Sequence, residues 1–369
     1  MKNNIFEDLF VLELANNHWG DLERGKKIIT DFSRVVRLNN IRTAIKLQFR
    51  DVDRFIHNDF KCRDDIRYIN KTLKTKMSYD DYAIMVETIQ KVGCIPMSTP
   101  FDETSVDICV NLGIQIIKIA SSDINDWRLI KKIAETRIPV IVSTGGSSLK
   151  DVDDLVTFFD NKNIPLAINH CVSLYPCEKH ELELNQIDFL KKRYPNHIIG
   201  LSTHEYNEDI EHGMLIAYAK GARTFERHID IDYEEKPLAL YCSTPFDLDR
   251  WIKAYHKAKA TCGQSGEQKK IPQKKEIEYL DSLVRGVYAK KDLKAGESLT
   301  EDNVYLAIPL QKGQISCREL MSGEVLLNNI KKDAPIKIDD IDSPYSCDES
   351  LKNKIHERGL ECQQNLIHN

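Results

Sequence analysis

From its start to about residue 262, the chain alternates short apolar runs with amphipathic stretches of roughly 10 to 18 residues. Repeated strand-helix units of this kind are typical of a parallel sheet that is covered by helices. The apolar runs predict eight strands, at Phe10–Ala15, Thr43–Phe49, Cys94–Thr99, Gln115–Ser121, Pro139–Thr144, Pro165–Cys171, Ile198–His204 and Arg223–His228.

Eight strands in about 260 residues favour a (β/α)₈ TIM barrel. The clearest helical patterns lie between the predicted strands or after the last of them, at Tyr82–Val92, Thr104–Leu112, Asp151–Phe159, Asp209–Ala219 and Leu248–Ala260. A doubly wound open sheet is the alternative α/β fold, but no GxGxxG motif follows the first strand.

The pattern changes after the barrel, which we place at residues 1–265. A linker rich in Gly, Gln and Lys at 266–281 precedes a small β-rich domain at 282–345. The polar tail, 346–369, is compatible with either a helix or disorder, and we expect its removal to have little effect.

Composition excludes several classes of protein. The chain of 369 residues is 41% hydrophobic and 30% charged, with a net charge of -5, which argues against a nucleic-acid or polybasic membrane surface. No apolar run approaches the roughly 18 residues of a membrane span, and the first residues do not resemble a signal peptide, so we expect a cytoplasmic protein. The ten cysteines form no CxxC pair and are expected to be reduced thiols.

Polar residues cluster where the predicted strands end, which in a barrel is the face that carries the active site. Glu13 is notable because it interrupts an apolar run, and a buried carboxylate is kept only where a partner or a ligand compensates its desolvation. An internal ion pair is one explanation, and a polar barrel mouth is the other. The polar residues at the strand ends favour the mouth; they are Glu13, Asn16, Asn17, His18, Lys46, Gln48, Ser98, Thr99, Lys118, Ser121, Ser143, Thr144, Asn169, His170, Ser173, Tyr175, Ser202, His204, Glu226 and His228.

Lys46 and Lys118 lie inside predicted strands, between apolar neighbours. Together with the strand-end serines they suit a phosphate or carboxylate, although an amine nucleophile and a merely solvated side chain are alternatives. His204 and His228 end adjacent strands and are near enough to share one metal ion, for which manganese, iron, cobalt and zinc are candidates. A hydrogen-bonded core histidine is the alternative for each.

The chain resembles the sialic acid synthase family. The resemblance extends from about residue 8 to 345, and its C-terminal part, Ser282 to Pro309, looks like the antifreeze-like (SAF) domain of that family. It is carried by the ordered motifs ELANNHWGD, IKLQ, STPFD, IIKIASSDIND, STGG, HCVSLYP, GLSTH and FERH.

The resemblance implies an enzyme that condenses phosphoenolpyruvate with an open-chain aldose, typically an N-acetylated hexosamine. His204 and His228 would hold manganese or magnesium, Gln48 and Arg285 would contact the sugar, and the enzyme would be a domain-swapped homodimer in which Arg285 serves the partner's barrel. Glu13 would bind the sugar or activate water, Asp123 would transfer a proton, and Glu226 would fix the ligand shell. The implied phosphoenolpyruvate site consists of Lys46, Lys118, Ser121, Ser143, Ser173, Tyr175 and Ser202.

Three departures from the family pattern bear on these roles. Ser173 stands where many relatives have asparagine, and Asp123 stands where they often have glutamate. The segment Lys236–Pro245 carries Leu238 and Ala239 at positions that are charged in relatives making sialic acid, so the aldose is left open. A Schiff-base aldolase acting through Lys118 and a non-catalytic carbohydrate-binding protein are the alternative functions.

Overall fold

The computed structural model describes residues 5–63, 65–233, 236–263, 266, 268–320, 323–344 and 346–361. The chain divides into two compact units, Met1–Gly263 and Gln264–Asn369, and each is considered by itself.

The first unit is a closed barrel of eight parallel strands in sequential order, with β8 completing the ring against β1. The predicted TIM barrel is therefore confirmed, and each strand lies within two residues of its predicted limits. The strands are β1 (Leu9–Ala15), β2 (Arg42–Phe49), β3 (Ile95–Pro100), β4 (Ile116–Ile119), β5 (Val140–Ser143), β6 (Leu166–Cys171), β7 (Ile198–Thr203) and β8 (Thr224–His228).

Helices connect successive strands and cover the outside of the barrel. Local capping explains where several of them start: the Ser78 hydroxyl accepts from the Asp81 amide, while the Asp81 carboxylate accepts from the Ser78 amide. The helices are α1 (Leu22–Asn39), α2 (Val52–Phe55), α3 (Arg67–Lys74), α4 (Tyr79–Lys91), α5 (Glu103–Asn111), α6 (Trp127–Glu135), α7 (Leu149–Asn161), α8 (Asn185–Arg193), α9 (Ile210–Lys220) and α10 (Pro245–Cys262).

Within the barrel, side chains on the same face of β1 change from apolar at the start of the strand to polar at its end. Leu9 and Val11 of β1 belong to a small buried cluster with Ala44 of β2 and Met97 of β3. Two residues further along β1, Glu13 points to the same side of the strand and meets the polar groups of its neighbours. The carboxyl ends of the strands therefore form the polar mouth that the sequence predicts.

The second unit has its own core, which includes Val287, Ile315 and Ile341. Two antiparallel strand pairs, β9 with β10 and β11 with β12, contribute to it. Its elements are α11 (Lys274–Asp281), β9 (Gly286–Ala289), β10 (Val304–Ala307), β11 (Val325–Leu326), β12 (Ile341–Asp342) and α12 (Glu349–Glu357).

The described part of the tail is folded. Helix α12 places Ile355 in the core of the second unit with none of its surface exposed, and Arg358 forms an ion pair with Glu319. The expectation that removal of the tail has little effect stays a prediction, but the packing of Ile355 and Leu351 on this core argues against it. Residues 362–369 lie outside the described residues.

Within the described ranges, no helix is both long and apolar enough to cross a lipid bilayer. The nine cysteines in the described part of the chain form no disulfide.

Candidate active site

A cavity of about 680 Å³ opens at the carboxyl ends of the barrel strands. Its size falls within the range of roughly 300–1,000 Å³ that is typical of small-molecule sites. Of the predicted site residues, only Arg285 is outside it, exposed in the second unit just before β9. The predicted residues that line the cavity are Glu13, Lys46, Gln48, Lys118, Ser121, Asp123, Ser143, Ser173, Tyr175, Ser202, His204, Glu226 and His228.

Four charged side chains form a buried network at the base of the cavity, here called the charged quartet: Glu13, Lys46, Lys118 and Glu226. The Lys118 ammonium donates to both Glu226 oxygens, at 2.8 and 2.7 Å. The Lys46 ammonium donates to Glu226 at 2.8 Å and also pairs with Glu13. Each of the four is at most 4% exposed, so the pairs are almost fully removed from water. With both carboxylates ionised, the two positive and two negative charges sum to zero, so the quartet is neutral overall.

The quartet changes the acidity of its members. Burial alone would raise the pKa of Glu226, but Lys118 and Lys46 together hold it well below the ordinary value. Burial raises the pKa of Glu13, against the opposing effect of Lys46, and repulsion by Glu226 raises it further. Glu226 is therefore the fixed anion of the pair of carboxylates, and Glu13 is the one that accepts a proton more readily.

The end of β1 is shaped by a register shift. Glu13 pairs with Lys46 of β2, and the next paired residue is Ala15, which adopts a left-handed conformation with φ of 50°. Such a conformation is uncommon for a residue other than glycine and is frequent at functional sites. The shift ends the strand and directs Asn16 and Asn17 into the cavity wall.

Hydroxyl groups from neighbouring strand ends crowd around Gly145. The Ser121 hydroxyl accepts from the Gly145 amide at 3.0 Å. A Cβ atom at Gly145 would lie 2.2 Å from the Ser173 hydroxyl oxygen and 2.9 Å from that of Ser121, so only glycine permits this approach. The Ser143 hydroxyl is buried without a hydrogen-bond partner. A buried, unpartnered hydroxyl in the cavity that Lys46 and Lys118 also line is suited to bind an anion.

His204 and His228 lie side by side, with ring centroids 5.3 Å apart. Burial lowers the pKa of His204 to about 4, and burial together with the neighbouring His204 lowers that of His228 well below 6.5. Both imidazoles are therefore neutral at pH 7. Tyr175 and Tyr241 flank the pair, with ring centroids 4.0 Å from His204 and 5.2 Å from His228 respectively.

The two histidines fit a divalent cation. A neutral imidazole is the ligating form, and the Nδ1 atom of His204 bonds to the Val172 carbonyl oxygen at 2.9 Å, which leaves its Nε2 lone pair for a metal. Among the described residues, no three His, Cys, Asp or Glu side chains converge in a way that could hold a metal. The protein would thus supply two nitrogen ligands, and water or substrate would supply the others.

Asp123 lies at the side of the cavity, in the turn after β4. Burial raises its pKa to about 6, and Oδ2 is buried without a hydrogen-bond partner. A carboxyl with this pKa exists in both protonation states near neutral pH, as proton transfer requires.

Some of the predicted strand-end residues serve the fold instead of the cavity. His170 bonds to the Leu182 carbonyl oxygen, and Asn169 accepts from the Thr224 hydroxyl. His18 is buried against Tyr82. His18, Asn169 and His170 are therefore not among the residues that line the cavity.

Sequence reasoning missed several cavity residues. Arg50 follows β2, whereas Arg67 and Lys71 belong to α3, and Tyr241 comes from the segment after β8. The spacing of Arg67 and Lys71 by four residues places them on one face of a helix. That spacing was the signal available in the sequence.

Two family models match this chain. The NeuB family model matches residues 41–267, and the SAF domain model matches residues 284–342.

Relatives and solved structures agree with these matches. A pseudaminic acid synthase of Campylobacter jejuni is 29% identical over 82% of this chain and 87% of its own length. A crystal structure described as spore coat polysaccharide biosynthesis protein E of Chromobacterium violaceum is 35% identical, covers 91% of this chain and 100% of that one, and has a TM-score of 0.87. The N-acetylneuraminic acid synthetase structure of Leptospira borgpetersenii, in complex with citrate, is 27% identical, covers 76% of this chain and 93% of that one, and has a TM-score of 0.65.

Proposed function

Because this chain belongs to the NeuB family, we propose that it is a transferase that condenses phosphoenolpyruvate with an open-chain aldose. The products are a 2-keto-3-deoxy sugar acid of the sialic acid type and phosphate. Relatives named N-acetylneuraminate-9-phosphate synthase, pseudaminic acid synthase and N,N'-diacetyllegionaminic acid synthase support an N-acylated amino aldose as acceptor.

The observation that carries the proposal is the charged quartet beside two neutral imidazoles in one cavity. Phosphoenolpyruvate presents a carboxylate and a phosphate, and Lys46 and Lys118 provide ammonium donors for these groups. The Ser143 hydroxyl, without a partner in the protein, provides a further donor. A preorganised donor set of this kind favours an anionic substrate without reorganisation of the site.

The reaction forms one carbon-carbon bond and breaks one carbon-oxygen bond. C3 of phosphoenolpyruvate adds to the aldehyde carbon of the aldose, whose oxygen takes a proton. Water adds to C2, and the C2–O bond to phosphate breaks, which leaves a ketone at C2. We assign to Glu226 the negative charge that compensates the positive charge developing at C2. The proton transfers are assigned to Glu13 and Asp123, and the raised pKa of each carboxyl supports this role.

We assign the divalent cation to His204 and His228, with manganese or magnesium as the candidates. When bound, such an ion would polarise the aldehyde carbonyl as a Lewis acid. The hydrogen bond from His204 to the Val172 carbonyl keeps that imidazole in the orientation and tautomer that ligation needs.

The test is a phosphate-release assay of the purified protein. Phosphoenolpyruvate is combined with a panel of N-acylated and unsubstituted aldoses, with and without added manganese, and the mass of each product is measured. The proposal expects phosphate release that depends on the aldose, with a product mass equal to the aldose plus the pyruvate unit. Phosphate release that is independent of every aldose, or no release at all, would contradict it.

Arg285 is assigned to the acceptor sugar in a homodimer. Arg285→Ala is expected to raise the KM for the aldose several-fold while the KM for phosphoenolpyruvate stays within about twofold, as loss of one charged hydrogen bond predicts. Equal changes in both constants would contradict the assignment. Sedimentation of the full chain measures whether the dimer exists.

One observation favours the aldolase alternative, since burial lowers the pKa of Lys118 in the direction that an amine nucleophile needs. Against it, both oxygens of Glu226 accept from this ammonium and stabilise its charged form. Borohydride reduction in the presence of a keto acid separates the two functions, because only the aldolase would become covalently labelled at Lys118.

A further inference from the structure

A buried ion pair lies next to the two histidines in the chain but outside the cavity. Glu205 directly follows His204, and Arg227 directly precedes His228. The Arg227 Nη1 atom lies 3.3 Å from the Glu205 Oε2 atom. Glu205 is 1% exposed and Arg227 is fully buried, and neither side chain lines the cavity. This Glu205–Arg227 pair, here called the rear pair, has no role in the proposed reaction.

The alternation of side chains along β8 explains why Arg227 points away from the cavity. Glu226 and His228 both line the cavity, so the residue between them extends from the other face of the strand. Backbone pairing between β7 and β8 ends at Thr203 and Arg227. Both histidines come directly after these two residues, so the β7–β8 ladder does not reach them.

Beyond that point, the Arg227 guanidinium connects the two strand ends through its side-chain bonds. Its Nη2 atom donates to the Glu205 carbonyl oxygen at 3.0 Å and to the Asn207 side-chain oxygen at 2.9 Å. Its Nε atom donates to the Ser243 hydroxyl, and the Ser243 amide donates to the His228 carbonyl oxygen at 2.9 Å. One guanidinium therefore joins the segment after β7 to the backbone at the end of β8.

The two imidazoles differ in how they are held. The His204 ring bonds to the Val172 carbonyl oxygen, whereas the His228 ring forms no hydrogen bond with any residue that the structure describes. The orientation of His228 therefore depends on its aromatic neighbours and on its backbone, which Arg227 anchors through Ser243.

Stability alone does not explain the rear pair. Both charges are almost completely removed from water, and their attraction only partly offsets the free energy of that desolvation. Apolar side chains of similar volume at such positions often give a protein of equal or greater stability. The planar arginine fork instead provides several donors in a fixed geometry, which suits a role in orientation.

Resting on the proposed function, we propose that Glu205 and Arg227 are positioning residues, which hold His204 and His228 in the arrangement that binds one divalent cation. Two imidazoles share an ion only if their free nitrogens face the same point, and groups behind metal ligands commonly control that orientation. Without the rear pair, both histidines remain, but the bonds that connect their strand ends are lost.

The test replaces the rear pair with apolar side chains in the double variant Glu205→Leu/Arg227→Met. Because apolar replacement of a whole buried pair is often neutral for stability, the variant should fold. Calorimetric titration of the metal-free protein with manganese chloride should show at least about tenfold weaker binding than in the wild type. With cobalt chloride, the visible absorption bands should also change, because they report the geometry of the ligands around the ion.

Glu211→Leu/Arg250→Met is the matched control. Glu211 of α9 and Arg250 of α10 form an ion pair at 2.7 Å between the helices that follow β7 and β8. Both side chains are partly exposed and neither lines the cavity. The control removes the same two residue types from the same two strand-helix units, so manganese affinity should stay within about twofold of the wild type. If the control weakens manganese binding as much as the rear-pair variant does, the positioning role is refuted.

A second variant keeps the test decisive if the double replacement does not fold. Arg227→Lys retains the positive charge beside Glu205, but a single ammonium lacks the planar fork that bonds to three groups at once. It should bind manganese several-fold more weakly than the wild type. Tryptophan fluorescence melts identify which variants are folded, and wild-type manganese affinity in either folded variant overturns the inference.

The outcomes separate the positioning role from the proposed function. Variants that bind manganese like the wild type refute the positioning role and leave the metal assignment intact. If the wild type itself binds no manganese, the metal assignment and the positioning role both fail, while aldose-dependent phosphate release would still support the condensation. If no aldose gives phosphate release, the condensation is contradicted, and the manganese titrations still decide whether the rear pair positions the histidines.

Discussion

Replacing Glu226 with glutamine tests whether the charged quartet stabilises the barrel. The substitution keeps the size of the side chain and removes the anion to which Lys118 donates twice. Lys46 keeps Glu13 as a partner, but Lys118 has no other carboxylate within ion-pair distance in the described structure. A buried ammonium would then be left without a compensating charge.

The expected loss follows from the burial of both partners. Removing one member of a buried ion pair costs about 3–5 kcal/mol, because the remaining charge stays desolvated. For a barrel of this size each kcal/mol lowers Tm by about 2–4 °C, so Tm should fall by roughly 10 °C. Glu87→Gln is the control, since Glu87 and its partner Lys91 are both mostly exposed and such pairs contribute about 0–1 kcal/mol.

Tryptophan fluorescence is the assay, because all three tryptophans, Trp19, Trp127 and Trp251, lie in the barrel unit. The signal therefore reports barrel unfolding without a contribution from the second unit. Thermal melts at pH 7 would compare the wild type, Glu226→Gln, the Glu87→Gln control and the double variant Lys118→Met/Glu226→Gln.

The double variant makes the reasoning refutable. Because it removes the unpaired ammonium, it should be more stable than Glu226→Gln alone, and the difference measures the coupling between the two side chains. The reasoning fails if Glu226→Gln melts no lower than the Glu87→Gln control. It also fails if Lys118→Met does not recover stability in the Glu226→Gln background.

Three further predictions concern other parts of the chain. Burial lowers the pKa of His18 from 6.5 to about 4, so the stability from its neutral form is complete above pH 6.5 and is lost as the pH falls toward 4. His18→Gln should therefore flatten the dependence of barrel stability on pH by about 2 kcal/mol between pH 7 and 5, and an unchanged slope in melts at the two pH values would contradict this. His204→Ala should weaken manganese binding in a calorimetric titration at least about tenfold, whereas the exposed His212→Ala should not, and equal affinities would refute the metal assignment. Ile355→Ala should destabilise the second unit by about 2–5 kcal/mol, measured by hydrogen exchange of its strands, whereas the exposed Ile271→Ala should cost little, and equal protection in the two variants would show that the tail does not support the core.

The barrel strands could be predicted because their pattern depends on local physics. A strand buried on both faces needs a continuous apolar run, and a strand end that faces a ligand needs polar side chains, so runs such as IIKIAS combine both signals in a few residues. The polar mouth follows from the same rule, since parallel strands bring all their carboxyl ends to one face. Glu13 and His228 come together because β1 closes the ring against β8.

The pairing of charges could not be predicted in the same way. Whether Lys118 contacts Glu226 or Glu13 depends on side-chain reach across the barrel, which no spacing along the chain specifies. Arg67 and Lys71 were missed because α3 is a short helix inside a connection, where the sequence gives no strand end to mark the site. Arg50 directly follows β2 and could have been included among the strand-end residues. The packing of the tail was not predicted because only Leu351 and Ile355 of α12 contact the core, and two apolar residues one helical turn apart make a weak pattern.

The hydrogen bonds of the quartet also bear on the proposed substrate, because phosphoenolpyruvate is an anion and the quartet has no net charge when both of its carboxylates are ionised. Each lysine ammonium has three donors. Lys118 uses two of them on Glu226, and Lys46 uses one on Glu226 and one on Glu13, so each lysine keeps one N–H for a ligand. An entering anion therefore adds to the existing pairs and need not displace a carboxylate. Because the two lysines hold the pKa of Glu226 well below its ordinary value, Glu226 would stay ionised and could supply the negative charge that the proposed reaction needs at C2.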